Sequence, residues 1–247
     1  MAVLSAIVIT RNEAAHIAEC LESISFVDEI VVVDSSSEDG TGEIAQRFTE
    51  HVYVVEWQGY AEAKQVALQK TTGEWILWLD ADERIPPELA EEIKRVIQKN
   101  DCFSGYRMPR KAYFLGRWIR HGGWYPGYVV RLFKKEKGHF GYERVHEKLI
   151  LDGPVGTLKE PLIHYTDYSI EEYYNKFNRY TSLAAQDLKE EGRSISPMGM
   201  VFRSIHMFVR MYIFRAGFLD GVEGLLLAVF SSNYVFTKYA KLWKLGR

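Results

Sequence analysis

The sequence predicts an α/β fold: a mostly parallel sheet with helices on its faces, followed by a C-terminal helical region suited to a membrane surface. Three observations carry this. Short β-branched runs alternate with apolar residues at helical spacing through the first half of the chain. Polar clusters stand directly after three of the strand candidates. Beyond about residue 166 the composition becomes basic and aromatic. With 247 residues, 47% of them hydrophobic, the chain is long enough to bury one α/β core and carry an appendage. Lys and Arg total 31 against 33 for Asp and Glu. That balance argues against nucleic acid as a partner and leaves charge to be read locally.

The elements follow in order. Val3 to Ile9 and Glu29 to Val33 read as strands. Between them, Asn12 to Ile24 has helical spacing at Ile17, Leu21 and Ile24, with Asn12 as N-cap and Glu13 near the positive end of the dipole. Gly40 to Thr49 then reads as helix, His51 to Glu56 as strand, Tyr60 to Lys70 as helix and Trp75 to Leu79 as a buried strand. Alternation of this kind builds a parallel sheet, and open sheets of that kind bind ligands beyond the carboxyl ends of their strands. Cys20 and Cys102 match no metal or disulfide spacing and read as thiols of a reducing cytosol. Met1 to Thr10 has no signal-peptide pattern, so a cytoplasmic location is expected.

Three strand ends carry the chemistry. They are Thr10-Arg11-Asn12-Glu13, the run Asp34-Ser35-Ser36-Ser37-Glu38-Asp39-Gly40-Thr41, and Asp80-Ala81-Asp82-Glu83. A strand-end Asp can accept from a base edge or ribose hydroxyls, and a Ser-rich turn offers donors, so the set suits a nucleotide. For the second cluster, a plain turn capping a helix is an equal alternative. Residues two apart in extended backbone face the same way, so Asp80 and Asp82 are expected to converge. Two such carboxylates call for a cation between them or a proton on one of them, and hard oxygen ligands favour Mg²⁺ or Mn²⁺; a solvated turn is the alternative. P-loop and GxGxxG motifs are absent.

These motifs resemble the inverting family 2 glycosyltransferases of the GT-A fold over about the first hundred residues. The stretches Gly122-Gly123-Trp124-Tyr125-Pro126, Arg131-Leu132-Phe133 and Val145-His146-Glu147 resemble the lipopolysaccharide core β-glucosyltransferase branch. The resemblance implies a GT-A catalytic domain over residues 1–165 that binds a nucleotide sugar through Thr10, Arg11, Glu13, Asp34, Ser36, Lys64 and Asp80. It implies uracil or ribose contact at Asp34, nucleotide or phosphate contact at Lys64, ribose or metal contact at Asp80, and metal contact at Asp82. A UDP-sugar donor and a lipid-linked or lipopolysaccharide acceptor go with it. Where that branch implies an acidic residue after Trp-Tyr-Pro, this chain has Gly127.

The chemistry also needs a base for the acceptor hydroxyl. Glu143 and Glu147, in the segment Phe140 to Glu147, are the nearest candidates; the resemblance favours Glu147, and a surface Glu paired with Arg144 or Lys148 is the alternative. His146 is a candidate third metal ligand, and His164 has a similar claim. Arg120, His121, Trp124 and Tyr125 combine cations with aromatic faces and are candidates for an acceptor or diphosphate pocket. A nucleotidyltransferase and a non-catalytic membrane scaffold of the same fold are the competing classes.

Residues 166–247 read as a helical, amphipathic region. From Ile195 to Arg247 there are seven basic residues against Asp220 and Glu223, a net +5. The uncharged run Gly224 to Thr237 is 14 residues, short of the ~18 needed to span a bilayer. These features predict peripheral docking on the inner leaflet. Arg203, Arg210, Lys238, Lys241 and Lys244 are expected at the headgroups, with Phe202, Phe208, Phe230 and Tyr234 at or near the inserted face. A core or dimer helix is the alternative, which leaves a homo-oligomer open.

Overall fold

The computed structural model describes residues 3–57, 59–99, 101–141, 149–167 and 169–247. In chain order the elements are β1 (Leu4–Thr10), α1 (Ile17–Ser23), β2 (Glu29–Asp34), α2 (Thr41–Ala45), β3 (Val52–Val54), α3 (Tyr60–Lys70), β4 (Trp75–Asp80), β5 (Glu83–Arg84) and α4 (Pro87–Ile97). Then come β6 (Gly105–Phe114), β7 (Arg117–Trp118), β8 (Gly127–Lys134), β9 (Gly138–Phe140), β10 (Leu149–Leu151), β11 (Val155–Thr157) and β12 (Leu162–Asp167). Helices α5 (Ile170–Glu190), α6 (Pro197–Val209) and α7 (Gly221–Leu245) complete the chain, with a π-turn at Arg210–Phe214 and a 3-10 turn at Gly217–Asp220 between the last two. Two compact units result: Met1–Arg110 with Tyr128–His164, and Lys111–Gly127 with Tyr165–Arg247.

In the first unit the sheet runs β3-β2-β1-β4-β8-β6-β12-β5. Strands β1, β2, β3 and β4 pair in parallel, as the alternation predicts. Strand β8 then joins β4 antiparallel, and β12 joins β5 antiparallel, so the sheet is mixed rather than mostly parallel. The sequence signal misses this because β8 carries no helix-crossover signature of its own. All seven residues of β1 are buried. Leu4, Ala6 and Val8 face a core built with α1 and α4, while Ile7 and Ile9 face a second core with α3, Phe133 and Phe140. A strand covered on both faces reads as a continuous apolar run for this reason.

Helix starts differ from the sequence reading. Asn12 is not an N-cap: it takes a left-handed backbone, φ 55°, and α1 begins only at Ile17, with no side-chain cap from His16. Its side chain is spent elsewhere, accepting the Glu38 N–H at 2.9 Å. Helix α2 is confined to five residues of the predicted Gly40 to Thr49, whereas α3 occupies the predicted span.

The second unit is built on α5, α6 and α7 around Phe114, Ile119, Met211, Leu227, Ala228 and Phe230. Helix α6 starts at Ser196, whose hydroxyl accepts the Gly199 N–H at 3.1 Å, followed by Pro197 at a position that needs no N–H. Ser204 and Ser232 exchange hydrogen bonds between α6 and α7 at 2.8 to 3.0 Å. Aromatic residues of α5 pack on α7: Tyr173 stacks on Phe230 at 4.7 Å and Phe177 meets Tyr234 edge-on at 6.0 Å. Among the described residues no helix is long and apolar enough to cross a membrane.

Candidate functional site

The parallel register sets the three polar strand ends side by side. Thr10 pairs with Asp34 across β1 and β2, and Ile9 pairs with Asp80 across β1 and β4. Asp34 is buried and accepts the Ser37 hydroxyl at 2.5 Å and the Ser37 N–H at 3.3 Å. The loops after β1 and β2 are laced together: Asn12 N–H donates to Ser37, Glu13 N–H to Thr41, and Ala14 N–H to Asp39. Ser37, Asp39 and Thr41 therefore do the turn-making work that competes with ligand binding in the sequence. Ser36 donates to the Val55 carbonyl at 3.1 Å, and Arg11 lies over Trp57 at 5.5 Å. Two hydroxyls in this group, Thr10 Oγ1 and Ser35 Oγ, are buried with no partner among the described residues. Buried hydroxyls that lack a partner cost free energy unless a ligand supplies one.

Asp80 and Asp82 do not share an extended segment. Strand β4 ends at Asp80, and Ala81-Asp82 form a turn into β5. Arg131, on β8, binds the first of the two carboxylates. Its Nη2 donates to Asp80 Oδ2 at 2.6 Å and to Glu83 Oε1 at 2.7 Å, and its guanidinium lies 3.5 Å from the Trp78 ring centre. Lys64 Nζ lies 4.3 Å from the same ring centre. Burial pushes the Asp80 carboxyl up, but Arg131, then Lys64 and His164, hold it below the usual range. For Glu83 burial wins over Arg131, and Asp80 adds to the rise, so its carboxyl is pushed up. The charges around the two carboxyls account for the difference in direction: Lys64 joins Arg131 at Asp80, whereas at Glu83 the Asp80 charge adds to burial.

Asp82 Oδ2 sits 3.3 Å from His164 Nε2. Burial alone would lower the His164 pKa, but the hydrogen bond and charge of Asp82 raise it. The other oxygen, Asp82 Oδ1, is buried and unpartnered among the described residues, as are Arg131 Nε and Arg110 Nε. No group of three or more His, Cys, Asp or Glu able to hold a metal ion occurs among the described residues. A free carboxylate oxygen still fits a Mg²⁺- or Mn²⁺-type ion, which takes one or two carboxylates and fills its remaining positions with water and substrate phosphates. His146, Glu143 and Glu147 lie outside the described residues.

In the second unit, Asp220 is buried and accepts the N–H groups of Arg120 and His121 and contacts His121 Nδ1 at 2.9 Å. Arg120 covers the Trp118 ring at 4.1 Å, and Tyr125 meets that ring edge-on at 5.4 Å. Of the four pocket candidates, Trp124 alone lines the pocket found in this unit. Sequence reasoning passed over Arg131, Glu83 and Asp220 as site residues. The signal for Arg131 was present: a single cation inside Val129-Val130-Arg131-Leu132-Phe133 has to be paired if it faces inward.

Comparison with known proteins decides the family. Residues 5–154 match the family model Glycosyl transferase family 2. The chain belongs to that family. It is 30% identical over 253 residues to the lipopolysaccharide core biosynthesis glycosyltransferase LpsC of Rhizobium meliloti, covering 98% of this chain and 92% of that protein. An uncharacterized glycosyltransferase of Rickettsia felis is 31% identical over 256 residues, covering 98% and 89%. Among solved structures, the mannosyltransferase PcManGT of Pyrobaculum calidifontis, in complex with GDP-Man and Mn²⁺, matches with TM-score 0.55 at 19% identity, covering 98% and 87%. Mannosyl-3-phosphoglycerate synthase of Rubrobacter xylanophilus matches with TM-score 0.52 at 17% identity, covering 79% and 77%. This family 2 glycosyltransferase thus has a GT-A-like α/β fold.

Removing the buried cation tests the network. Arg131→Ala leaves Glu83 buried without its cationic partner and should cost about 3 kcal/mol or more of stability, read as a lower urea midpoint. Asp80→Asn changes a partly exposed pair and should cost under about 1 kcal/mol. Equal midpoints for the two variants would contradict this hierarchy.

Proposed function

We propose that this protein is an inverting glycosyltransferase that moves a sugar from a UDP-sugar to a hydroxyl of a lipid-linked or lipopolysaccharide-core acceptor at the cytoplasmic face of the membrane. One observation carries the donor half of this reading. Three strand ends stand in register, and Thr10 Oγ1, Ser35 Oγ and Asp82 Oδ1 are buried there without partners. The acceptor half is supported by the likeness to LpsC.

Asp34 and the Ser35-Ser36 turn hold the nucleoside, with Thr10, Arg11 and Glu13 from the neighbouring loop. Lys64 and Arg110 add positive charge to the same network, the first acting on Asp80 and the second on His164. Asp82, through its free oxygen, and Asp80 would hold a divalent cation, whose charge offsets that of the diphosphate leaving group. His146 is a further ligand in this reading. The acceptor oxygen forms a bond to the anomeric carbon as the bond to the diphosphate oxygen breaks. The electron pair leaves with the nucleoside diphosphate, and Glu147 takes the hydroxyl proton. A single in-line displacement inverts the anomeric centre.

The membrane half rests on the exposed apolar surface of the second unit. Met198, Val201, Phe202 and Ile205 form an exposed stripe on α6, and Val222, Leu225 and Val229 form one on α7; Phe214 is 80% exposed between them. The inserted set differs from the one read from sequence. Phe230 is in the core, Phe208 packs against it, and Tyr234 donates to the Tyr180 carbonyl. Lys241 is engaged with Asn178, Thr181 and Ser182 and Arg210 lines the pocket of this unit, which leaves Arg203, Lys238 and Lys244 as the headgroup contacts.

Three measurements test these roles. Asp82→Asn should weaken Mn²⁺-dependent UDP binding, measured by calorimetry, with the melting temperature preserved; UDP binding that is the same in excess chelator sinks the metal role. Glu147→Gln should lower turnover by roughly 10² or more with UDP affinity unchanged, and loss in Glu143→Gln alone would move the base there. In co-sedimentation, the chain should pellet with anionic vesicles at low salt and less at high salt. Joint replacement of Phe202 and Phe214 by Asp should keep it in the supernatant; if that variant pellets equally, the stripe is a protein contact.

A further inference from the structure

The second unit holds a pocket of about 380 Å³ whose lining includes Trp124, Tyr173, Tyr234, Ser231, Arg210 and Arg215. That volume is within the range of small-molecule sites. Its aromatic wall is fixed from behind: Trp124 and Tyr173 both pack edge-on against the buried Phe114, at 6.3 and 6.4 Å. Arg215 is laid across Gly123. A Cβ there would stand 1.9 Å from the Arg215 guanidinium, and Gly123 has a left-handed backbone, φ 86°, so only glycine leaves this space. The Arg215 carbonyl also accepts the Gly122 N–H at 2.9 Å.

The charge in this pocket is uncompensated. Between Ile195 and Arg247 the acidic residues are Asp220 and Glu223. Asp220 is spent on Arg120 and His121, and Glu223 pairs with Arg117 at 3.5 Å. Among the described residues neither Arg210 nor Arg215 has an acidic partner. Two guanidinium groups beside aromatic faces bind an anion through paired hydrogen bonds, while the rings take the apolar face of a sugar.

We infer that this pocket receives the anionic part of the acceptor, a sugar ring bearing a phosphate or carboxylate. The anion is held by Arg210 and Arg215, and the ring lies against Trp124, Tyr173 and Tyr234 with Ser231 available to a hydroxyl. This rests on the reading of the acceptor as a glycan. A lipid headgroup phosphate offers the same anion chemistry, and the experiment separates the two sources.

Isothermal titration of the full chain with glucose 6-phosphate, glucose and UDP tests the assignment. Glucose 6-phosphate should bind about tenfold or more tighter than glucose, and the R210Q/R215Q double variant should lose that advantage. UDP binding should be the same in both proteins. Equal binding of the two sugars, or glucose 6-phosphate binding that survives the double variant, overturns the pocket. Wild-type protein that binds glucose 6-phosphate in this Arg-dependent way but not UDP supports the pocket and counts against the donor reading instead. Phosphatidylglycerol vesicles should leave glucose 6-phosphate binding unchanged; displacement by them would give the anion to a lipid headgroup and overturn the acceptor assignment.

Discussion

The buried guanidinium of Arg131 is the point on which the candidate donor site depends. Strand β8 enters antiparallel to β4, pairing Leu132 with Leu77. One step further in that register brings Arg131 to Trp78, whose ring it covers. Alternation along β4 puts Asp80 on the same face as Trp78, and Asp80 Oδ2 lies 2.6 Å from Arg131. A carboxylate at the end of a buried strand is thereby kept ionised. Glu83, fully buried, is tied to the same nitrogen and also accepts the Asp80 N–H at 3.1 Å. Both ends of the Ala81-Asp82 turn are then held by one cation.

That arrangement explains why Asp82 has an oxygen to spare. With Arg131 occupied by its neighbours on either side, Asp82 is left to His164, which engages Oδ2 and leaves Oδ1 buried and unpartnered. In the proposed reading a divalent cation and an anionic diphosphate would enter this network together, where positive charge from Lys64 already acts on Asp80 and that of Arg110 on His164. Buried networks of this kind are costly when half satisfied. The unmade bonds at Thr10, Ser35 and Asp82 are therefore the places where a ligand gains most.

The second unit divides its charges differently. Its two acidic residues beyond Ile195 are used to hold the segment Arg117 to His121. What remains is basic, with aromatic rings packed among α5 and α7 and apolar stripes left on the outer faces of α6 and α7. A core helix and a surface-binding helix need not be different helices: α7 buries Leu227, Ala228 and Phe230 on one side and exposes Val222, Leu225 and Val229 on another.

The sequence by itself determined the strands of the first half, their parallel pairing and the three polar strand ends, because apolar periodicity and turn chemistry are local properties. Lys64 entered only through the family resemblance, and the fold brings it over the Trp78 ring, where its charge acts on Asp80. Tertiary structure alone decided which charges meet. Arg131 finds Asp80 and Glu83 across 51 and 48 residues, and Asp220 finds His121 across 99. Asn12 reads as a helix cap by residue type, yet its side chain accepts from Glu38, 26 residues on. The membrane set shows the same limit: apolar residues at helical spacing on α7 are legible as a helix, but Phe230 is core and Val222 is surface. Side-chain type and spacing say that a face must be covered or a charge paired. They do not say with what, because the partner is delivered by strand order and helix packing, which depend on contacts far apart in the chain.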